Sequence, residues 1–357
     1  RVVSRPLGVA AAVAVLVVGS VFGSVILYRF ATQQSGAPAL REVVTAAGEP
    51  LLRALAVLED FRSRTWIVEE LVLVRSHLPR SGVPGEQPRY EAVARRALAS
   101  GAADSWFFIR YGDPEWHLRV RFHGSPERLA GEVLPRLQEV VEPWVADRRV
   151  WRFGLDTYQR EITRYGGPEG LPVAERLFWA DSEAVLGIVE LLEGDAGLDA
   201  RWRLALRGVD TILTYLGLDL EAKIRVATRL RESYTREFQA DLNLKKALGD
   251  RHRRERQALE ASMDPDKDAD SDLAPGFEAL AMGARLAAPW VERLQELESQ
   301  GRLTLSIEDM APSFVHMHTN RLIRSEGRAH ELVLYELLFR HYMAVRSRAK
   351  GGKKKKG

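Results

Sequence analysis

Two strand-like runs joined by a turn constrain the fold of this chain more than any other feature. Residues 105–111 (SWFFIRY) and 116–122 (WHLRVRF) are rich in aromatic and β-branched side chains, which favour extended backbone. The GDPE segment between them has the composition of a turn. These runs predict two strands of a small antiparallel sheet.

The pattern becomes largely helical after these runs. Ser125, followed by Pro126 and Glu127, predicts the start of a helix that ends near residue 145. Residues 149–163 form another strand-like stretch, and residues 172–346 carry apolar side chains at helical spacing. The order predicts an α+β fold, a small antiparallel sheet with a larger helical part, preceded by an apolar N-terminal helix.

An uncharged apolar stretch at residues 7–28 is long enough to span a membrane, with a buried helix as the alternative. The predicted organisation has four parts. They are an apolar helix over 1–30, a linker with a helical and strand lead-in of unknown role over 31–103, the main domain over 104–348, and a basic disordered tail over 349–357.

Composition and motifs argue against several kinds of chemistry. The chain has no Cys, which removes disulfides, thiolate metal sites and Cys nucleophiles. Of 52 basic residues, five are lysines in the last eight positions, so the rest of the chain has 47 basic against 49 acidic residues. That balance gives no case for nucleic-acid binding. The phosphate-binding loop, the dinucleotide fingerprint and the nucleophile elbow are also absent from the sequence.

No metal site is predicted. The acidic run at residues 264–272 (DPDKDADSD) departs from a calcium-binding loop, because its sixth and twelfth positions hold Ala269 and Pro275 instead of Gly and Glu. His316 and His318 are two residues apart, whereas a helical metal pair needs a spacing of four.

Three distant segments place polar side chains inside otherwise apolar structure. In the first, His117, Arg119 and Arg121 alternate with apolar residues and therefore share one face of the predicted strand. Two guanidinium groups beside an imidazole suit a carboxylate or phosphate ligand. The alternative is a solvent-facing strand edge with ordinary positive charges.

The second segment, residues 155–167 (LDTYQREITRYGG), is compatible with two conformations. An extended chain would place Tyr158 and Arg164 on one face and Glu161 on the other. A helical turn would make Glu161 and Arg164 neighbours that can pair. A plain surface ion pair remains the alternative to a functional role.

The third segment, residues 313–322 (SFVHMHTNRL), is predicted to be helical. A helix places His316 and Asn320 on one face and Met317 and Arg321 on the next ridge. Imidazole is the side chain whose ordinary pKa suits proton transfer near neutral pH. The alternative is a hydrogen-bonded histidine that serves packing.

Five segments, in this order, resemble the C-terminal domain of lantibiotic dehydratases, also found as stand-alone thiopeptide-type bacteriocin biosynthesis proteins. They are SWFFIRYGDPEWHLRVRF, LDTYQREITRYGG, AERLFWADSEAVL, SFVHMHTNRL and ELVLYELLFRHYMAVR. In this family a partner domain esterifies Ser or Thr of a precursor peptide with glutamate from glutamyl-tRNA. The C-terminal domain then eliminates glutamate and leaves dehydroalanine or dehydrobutyrine.

The resemblance implies a role for particular residues. Arg119 and Arg121 would hold carboxylate groups of the glutamyl ester, Glu161 and Arg164 would complete the pocket, and His316, in an HMxxNR pattern, would be the acid/base candidate. The expected catalytic set is His316, Arg164, Arg121 and Glu161; the expected substrate-binding set is Arg119, His117, Tyr158, Asn320 and Arg321. The identity of the base stays open.

The resemblance also implies partners. They are a ribosomal precursor peptide as substrate and a separate glutamyl-transferring dehydratase subunit, with no direct nucleic-acid contact and no cofactor. A cytoplasmic protein is expected, with membrane association through residues 7–28 and a homodimer left open. Two other functions remain: a pyridine synthase that joins two dehydroalanines in a formal cycloaddition, and a non-catalytic, membrane-tethered scaffold.

Overall fold

The computed structural model describes residues 69–75, 90–112, 117–148, 150–192, 196–268, 271–323 and 327–354. The predicted apolar segment at residues 7–28 lies outside these ranges. Among the helices within them, none has both the length and the apolar character that crossing a bilayer requires.

Four strands form one antiparallel sheet in the order β2-β3-β1-β4. Strand β2 pairs with β3 so that Phe107 lies opposite Arg121 and Tyr111 lies opposite His117. Strand β1 lies between β3 and β4, so the predicted lead-in shares the sheet with the main domain. The strands are β1 (Glu69–Arg75), β2 (Ser105–Tyr111), β3 (His117–His123) and β4 (Val150–Thr157).

Helices make up most of the remaining described chain, which confirms the predicted α+β class. A turn of helix at Pro126–Arg128 and a π-helical turn at Leu129–Val133 lead into α2, and a 3₁₀ turn at Ile162–Tyr165 precedes α3. The helices are α1 (Tyr90–Ser100), α2 (Leu134–Ala146), α3 (Gly167–Leu191), α4 (Ala196–Tyr215), α5 (Leu220–Glu237), α6 (Leu242–Ser262), α7 (Ala274–Ser299), α8 (Ile307–Leu322) and α9 (Gly327–Lys354). Helix α9 thus continues into the segment predicted as a disordered tail.

The first five residues of β2 are buried, so this strand is covered on both faces of the sheet. Trp106 and Phe122 stack on one face, with ring centroids 6.4 Å apart. On the other face, Phe107 packs against Phe178 of α3 at 5.3 Å. Successive side chains of a strand point to opposite faces of the sheet, and Arg121 lies opposite Phe107. The second face therefore also carries the arginines of β3. Helix α3 therefore supports the surface on which those arginines lie.

Two consecutive glycines determine where the 3₁₀ turn ends and α3 begins. Gly166 and Gly167 have φ angles of 80° and 89°, a region that side-chain-bearing residues rarely adopt. A Cβ on Gly166 would also lie 2.9 Å from the sulfur of Met310 on α8. The glycine pair therefore brings the turn close under α8.

Gly208 of α4 lies directly against the imidazole of His318, and a Cβ at this position would overlap its Nε2. We expect Gly208→Ala to lower the free energy of unfolding by about 1–3 kcal/mol, because the core would be overpacked. Gly131→Ala is the matched control, since nothing lies within 4 Å of its added Cβ. Urea unfolding measures both, and equal stabilities of the two variants would contradict the close contact.

Candidate functional site

Side chains from three separate elements meet on the face of the sheet that α3 supports. Strand β3 contributes His117, Arg119 and Arg121. The 3₁₀ turn and the residue before it contribute Arg164, Tyr165 and Glu161, and α8 contributes Ser313, which bonds to Arg164.

Aromatic rings position both arginines of β3. The Arg121 guanidinium lies 4.1 Å from the ring centroid of Tyr158, and Arg119 lies 3.9 Å from that of Tyr111. Arg119 also donates from Nε to Nε2 of His117 at 2.9 Å, and the His117 ring stacks on Tyr111. Contacts of this type hold a guanidinium in place while it keeps its positive charge.

Of the two conformations predicted for residues 155–167, the structure has the helical turn, at Ile162–Tyr165. Arg164 pairs with Glu161 at 2.9 Å, and their side chains are 47% and 50% exposed. Arg164 also donates from Nε to the Ser313 hydroxyl at 3.1 Å, which fixes it to α8. The strand predicted over residues 149–163 was therefore too long, since β4 ends at Thr157. The extended alternative for Arg164 is wrong, because Ile162–Tyr165 turns beneath α8.

Tyr165 was not predicted, although it lies among the charges of the site. Its side chain is buried, and burial raises the pKa of Tyr165 to about 12. The positive charges of Arg164, Arg321 and Arg121 oppose that rise, so all three lie within electrostatic range of the phenol. At neutral pH the hydroxyl keeps its proton and can donate a hydrogen bond. Its only sequence signal is its position before two glycines.

His316 lies one helical turn from Ser313, on the same side of α8. The backbone of His316 is therefore one turn away from the residue that anchors Arg164. The imidazole Nδ1 of His316 lies 2.7 Å from Oε1 of Glu331 on α9. His316 is 29% exposed, whereas the Glu331 side chain is only 3% exposed. The imidazole can therefore meet a ligand while a buried carboxylate holds it from behind.

Asn320 and Arg321 bond to the protein itself. The Asn320 side-chain amide donates to the carbonyl and accepts from the N–H of Arg110 on β2, both at 2.8 Å. Arg321 is buried and donates to the Phe108 carbonyl at 2.8 Å and to Asp181 at 2.6 Å. These side chains join α8 to the edge of the sheet, and thereby fix the distance between His316 and β3.

Tyr158 is likewise held by a neighbour. Its hydroxyl bonds to the buried Glu175, which also accepts two hydrogen bonds from Arg160, at 2.9 Å and 3.0 Å. Burial raises the pKa of the Tyr158 hydroxyl, and the charge of Glu175 adds to the rise. The Tyr158 ring is therefore a fixed platform beneath Arg121.

Arginines from two elements, a protonated phenol and the imidazoles of His117 and His316 make up this cationic site, in which His117 is buried and His316 is partly exposed. Arginine pairs well with carboxylates, and imidazole suits proton transfer near neutral pH. In the described part of the chain, no group of three or more His, Asp or Glu side chains is placed to hold a metal ion.

Two solved structures share this fold. The tRNA-dependent lantibiotic dehydratase MibB from Microbispora sp. 107891 superposes with a TM-score of 0.53 and 20% identity, over 78% of this chain and 28% of that one. The pyridine synthase TbtD, from thiomuracin biosynthesis, superposes with a TM-score of 0.53 and 15% identity, over 76% of this chain and 96% of that one. At these identities the likeness shows the fold alone.

Sequence comparison gives the family. The subtilin biosynthesis protein SpaB of Bacillus subtilis is 39% identical over 82 residues, which are 22% of this chain and 8% of that protein. The aligned segment thus spans less than a tenth of this curated relative. The family model described as lantibiotic biosynthesis dehydratase, C-terminal part, matches residues 89–343, well over half of the chain. The protein therefore belongs to the lantibiotic dehydratase C-terminal family, which confirms the resemblance seen in the five sequence segments.

Proposed function

We propose that this protein eliminates glutamate from glutamylated Ser or Thr of a ribosomal precursor peptide and leaves a dehydroamino acid. One observation carries the proposal: Arg121 and Arg164 both lie within electrostatic range of the buried Tyr165 phenol, and His316 lies one turn from the residue that anchors Arg164. A glutamyl ester requires this combination, because the substrate carries carboxylate and the reaction transfers a proton.

The reaction begins with loss of the Cα proton of the esterified residue, and the electrons of the C–H bond form an enolate. His316 accepts that proton. The Cα=Cβ double bond then forms as the Cβ–O bond breaks, and glutamate leaves with the electron pair as a carboxylate. Positive charge near the enolate and near the leaving group lowers the energy of both changes. Arg121 and Arg164 provide that charge.

The remaining predicted residues support these groups. Arg119 binds the carboxylate of the glutamyl group that is not part of the ester. His117 holds the Arg119 side chain in place through the Arg119 Nε. Glu161 keeps Arg164 oriented toward the pocket. Tyr158 acts through Arg121, which lies over its ring. Asn320 and Arg321 act through α8, whose distance from β2 they fix.

Formal cycloaddition of two dehydroalanines is the second candidate function. The observation that favours it is the fold shared with the pyridine synthase TbtD over 96% of that chain. A cycloaddition needs a cleft for the peptide but no group that grips glutamate. The arginines around Tyr165 therefore favour elimination.

Mass spectrometry of a synthetic peptide carrying one glutamyl-Ser ester tests the choice. Elimination removes one glutamic acid from the peptide and leaves dehydroalanine. An ester that survives prolonged incubation with excess protein would contradict the proposal. Conversion of a peptide with two dehydroalanines into a cyclic product would instead indicate the synthase. A separate glutamyl-transferring subunit would supply the ester in the cell.

The same assay is expected to separate Arg164 from a matched surface arginine. We expect Arg164→Ala to slow glutamate release about 10²–10³-fold, because the leaving carboxylate loses a charged donor held in place before the reaction. Arg95→Ala is the control, since Arg95 also forms an exposed ion pair, with Glu190 at 2.7 Å. Similar rates for the two variants would exclude Arg164 from the reaction.

A further inference from the structure

A buried carboxylate lies behind the imidazole of His316. Oε1 of Glu331 is within hydrogen-bond distance of His316 Nδ1 at 2.7 Å, the Tyr335 hydroxyl at 2.7 Å and the Thr319 hydroxyl at 2.9 Å. Arg328 approaches the other oxygen, Oε2, at 3.6 Å. Three donors on a single oxygen define the position of this carboxylate closely.

The environment keeps Glu331 ionised. Burial by itself would raise the pKa of the Glu331 carboxyl, but the hydrogen bond with His316 holds it below its usual value, with help from the hydroxyls of Tyr234 and Tyr335. An ionised carboxylate accepts hydrogen bonds and donates none. The nitrogen of His316 that faces Glu331 must therefore carry a proton.

In a neutral imidazole, one ring nitrogen carries the proton and the other does not. A carboxylate that accepts a hydrogen bond from one nitrogen therefore fixes the tautomer of the ring. When Nδ1 holds its proton against Glu331, Nε2 is unprotonated in the neutral ring. Nε2 is then the atom that can accept a proton from a substrate. The carboxylate also stabilises the imidazolium formed by that transfer, because opposite charges attract strongly away from water.

We propose that Glu331 is a positioning residue that holds His316 as the Nδ1–H tautomer, so that Nε2 exchanges the proton with the substrate. The inference rests on the proposed function for its role in the reaction. The tautomer itself depends only on the contact between Glu331 and His316. Other charged or titratable groups that face this pair are Arg328 and Tyr335 of α9 and Tyr234 of α5.

A purely structural role for Glu331 would be to join α8 and α9, and the chain offers a control for it. Glu336 is a second buried carboxylate on α9, 5% exposed as a residue, and it pairs with Arg231 at 2.5 Å and Arg340 at 2.6 Å. Glu336→Gln removes a charge from the same helix at similar burial. Because the Glu336 carboxylate is held by Arg231 and Arg340, this change is expected to leave the imidazole of His316 unaffected.

The test is Glu331→Gln in the full chain, observed by ¹⁵N NMR of the histidine ring nitrogens. A Gln side chain keeps the shape of Glu but can either donate to or accept from Nδ1, so we expect a mixture of tautomers in place of Nδ1–H alone. We also expect kcat for glutamate release to fall about 10–100-fold with KM nearly unchanged, because the lost interaction is strongest in the transition state. Glu336→Gln should retain wild-type tautomer and kcat.

Several outcomes would overturn the inference. A wild-type protein with the proton of neutral His316 on Nε2 would do so before any variant is made. A Glu331→Gln variant with wild-type tautomer and wild-type kcat would do so as well, as would equal losses in the Glu331→Gln and Glu336→Gln variants. If the wild type releases no glutamate, the proposed function fails, whereas the NMR result still decides whether Glu331 sets the tautomer.

Discussion

A His316→Ala variant is expected to bind the glutamylated peptide and to release glutamate about 10²–10⁴ times more slowly than the wild type, the usual effect of losing a general base. Binding should survive, because the arginines of β3 lie on aromatic platforms that do not involve His316. The ester should therefore accumulate as an enzyme-bound species. Some stability should be lost as well, because the buried Glu331 carboxylate loses its imidazole partner and keeps the hydroxyls of Tyr335 and Thr319.

Two measurements check this expectation. Mass spectrometry follows the ester, and fluorescence anisotropy of a labelled glutamyl peptide follows binding. His252→Ala on α6 is the control, since it removes a half-buried imidazole whose pKa is lowered by burial and by nearby arginines. If His316→Ala releases glutamate at the wild-type rate, another group is the base. If both variants lose activity equally, the loss reflects stability and not proton transfer.

Local patterns were sufficient to predict strands β2 and β3 and the helical character of residues 172–346. Strand β3 alternates between polar and apolar residues along its length, so its faces could be assigned before any contact was known. The cap of α8 at Ser306 is equally local, because it bonds to a backbone N–H three residues away. Such signals lie within a few residues of the structure that they specify.

The site depended on contacts that no local pattern contains. Arg164 is fixed by Ser313, which is 149 residues away in the sequence, and this contact selected the helical turn over the extended alternative. Glu331 has the sequence signal of any polar position on an amphipathic helix. Only the packing of α9 against α8 turns it inward toward His316. Asn320 and Arg321 were expected to contact substrate, yet Asn320 bonds to the backbone of Arg110, and Arg321 bonds to the Phe108 carbonyl and to Asp181.

The largest effect on stability is expected in a buried ionic cluster beneath the site. Asp181 of α3 lies 2.6 Å from His318 through one oxygen and 2.6 Å from Arg321 through the other. All three side chains are less than a tenth exposed. Arg321→Met is expected to lower the free energy of unfolding by about 3–5 kcal/mol. The reason is that the buried Asp181 carboxylate loses the guanidinium partner of one oxygen and keeps only His318 on the other.

The same cluster predicts a dependence on pH. Burial by itself would raise the pKa of Asp181, but His318 and Arg321 hold it below its usual value. A group whose pKa is lower in the folded state stabilises the protein above its unfolded pKa, near about 4, and loses that contribution as the pH falls toward the folded value. Without Arg321 the folded pKa of Asp181 rises, so the variant should lose stability at a higher pH than the wild type.

Urea unfolding between pH 3 and pH 7 measures both effects. The matched control is Arg293→Met on α7, whose arginine forms an exposed ion pair with Glu296. That change is expected to alter the free energy of unfolding by at most about 1 kcal/mol. Equal stabilities for the two variants at pH 7 would mean that the cluster contributes no more than a surface pair. Because Arg321 and His316 lie on the same helix, a destabilised Arg321→Met variant should also release glutamate more slowly, and stabilising cosolvent should restore part of that rate.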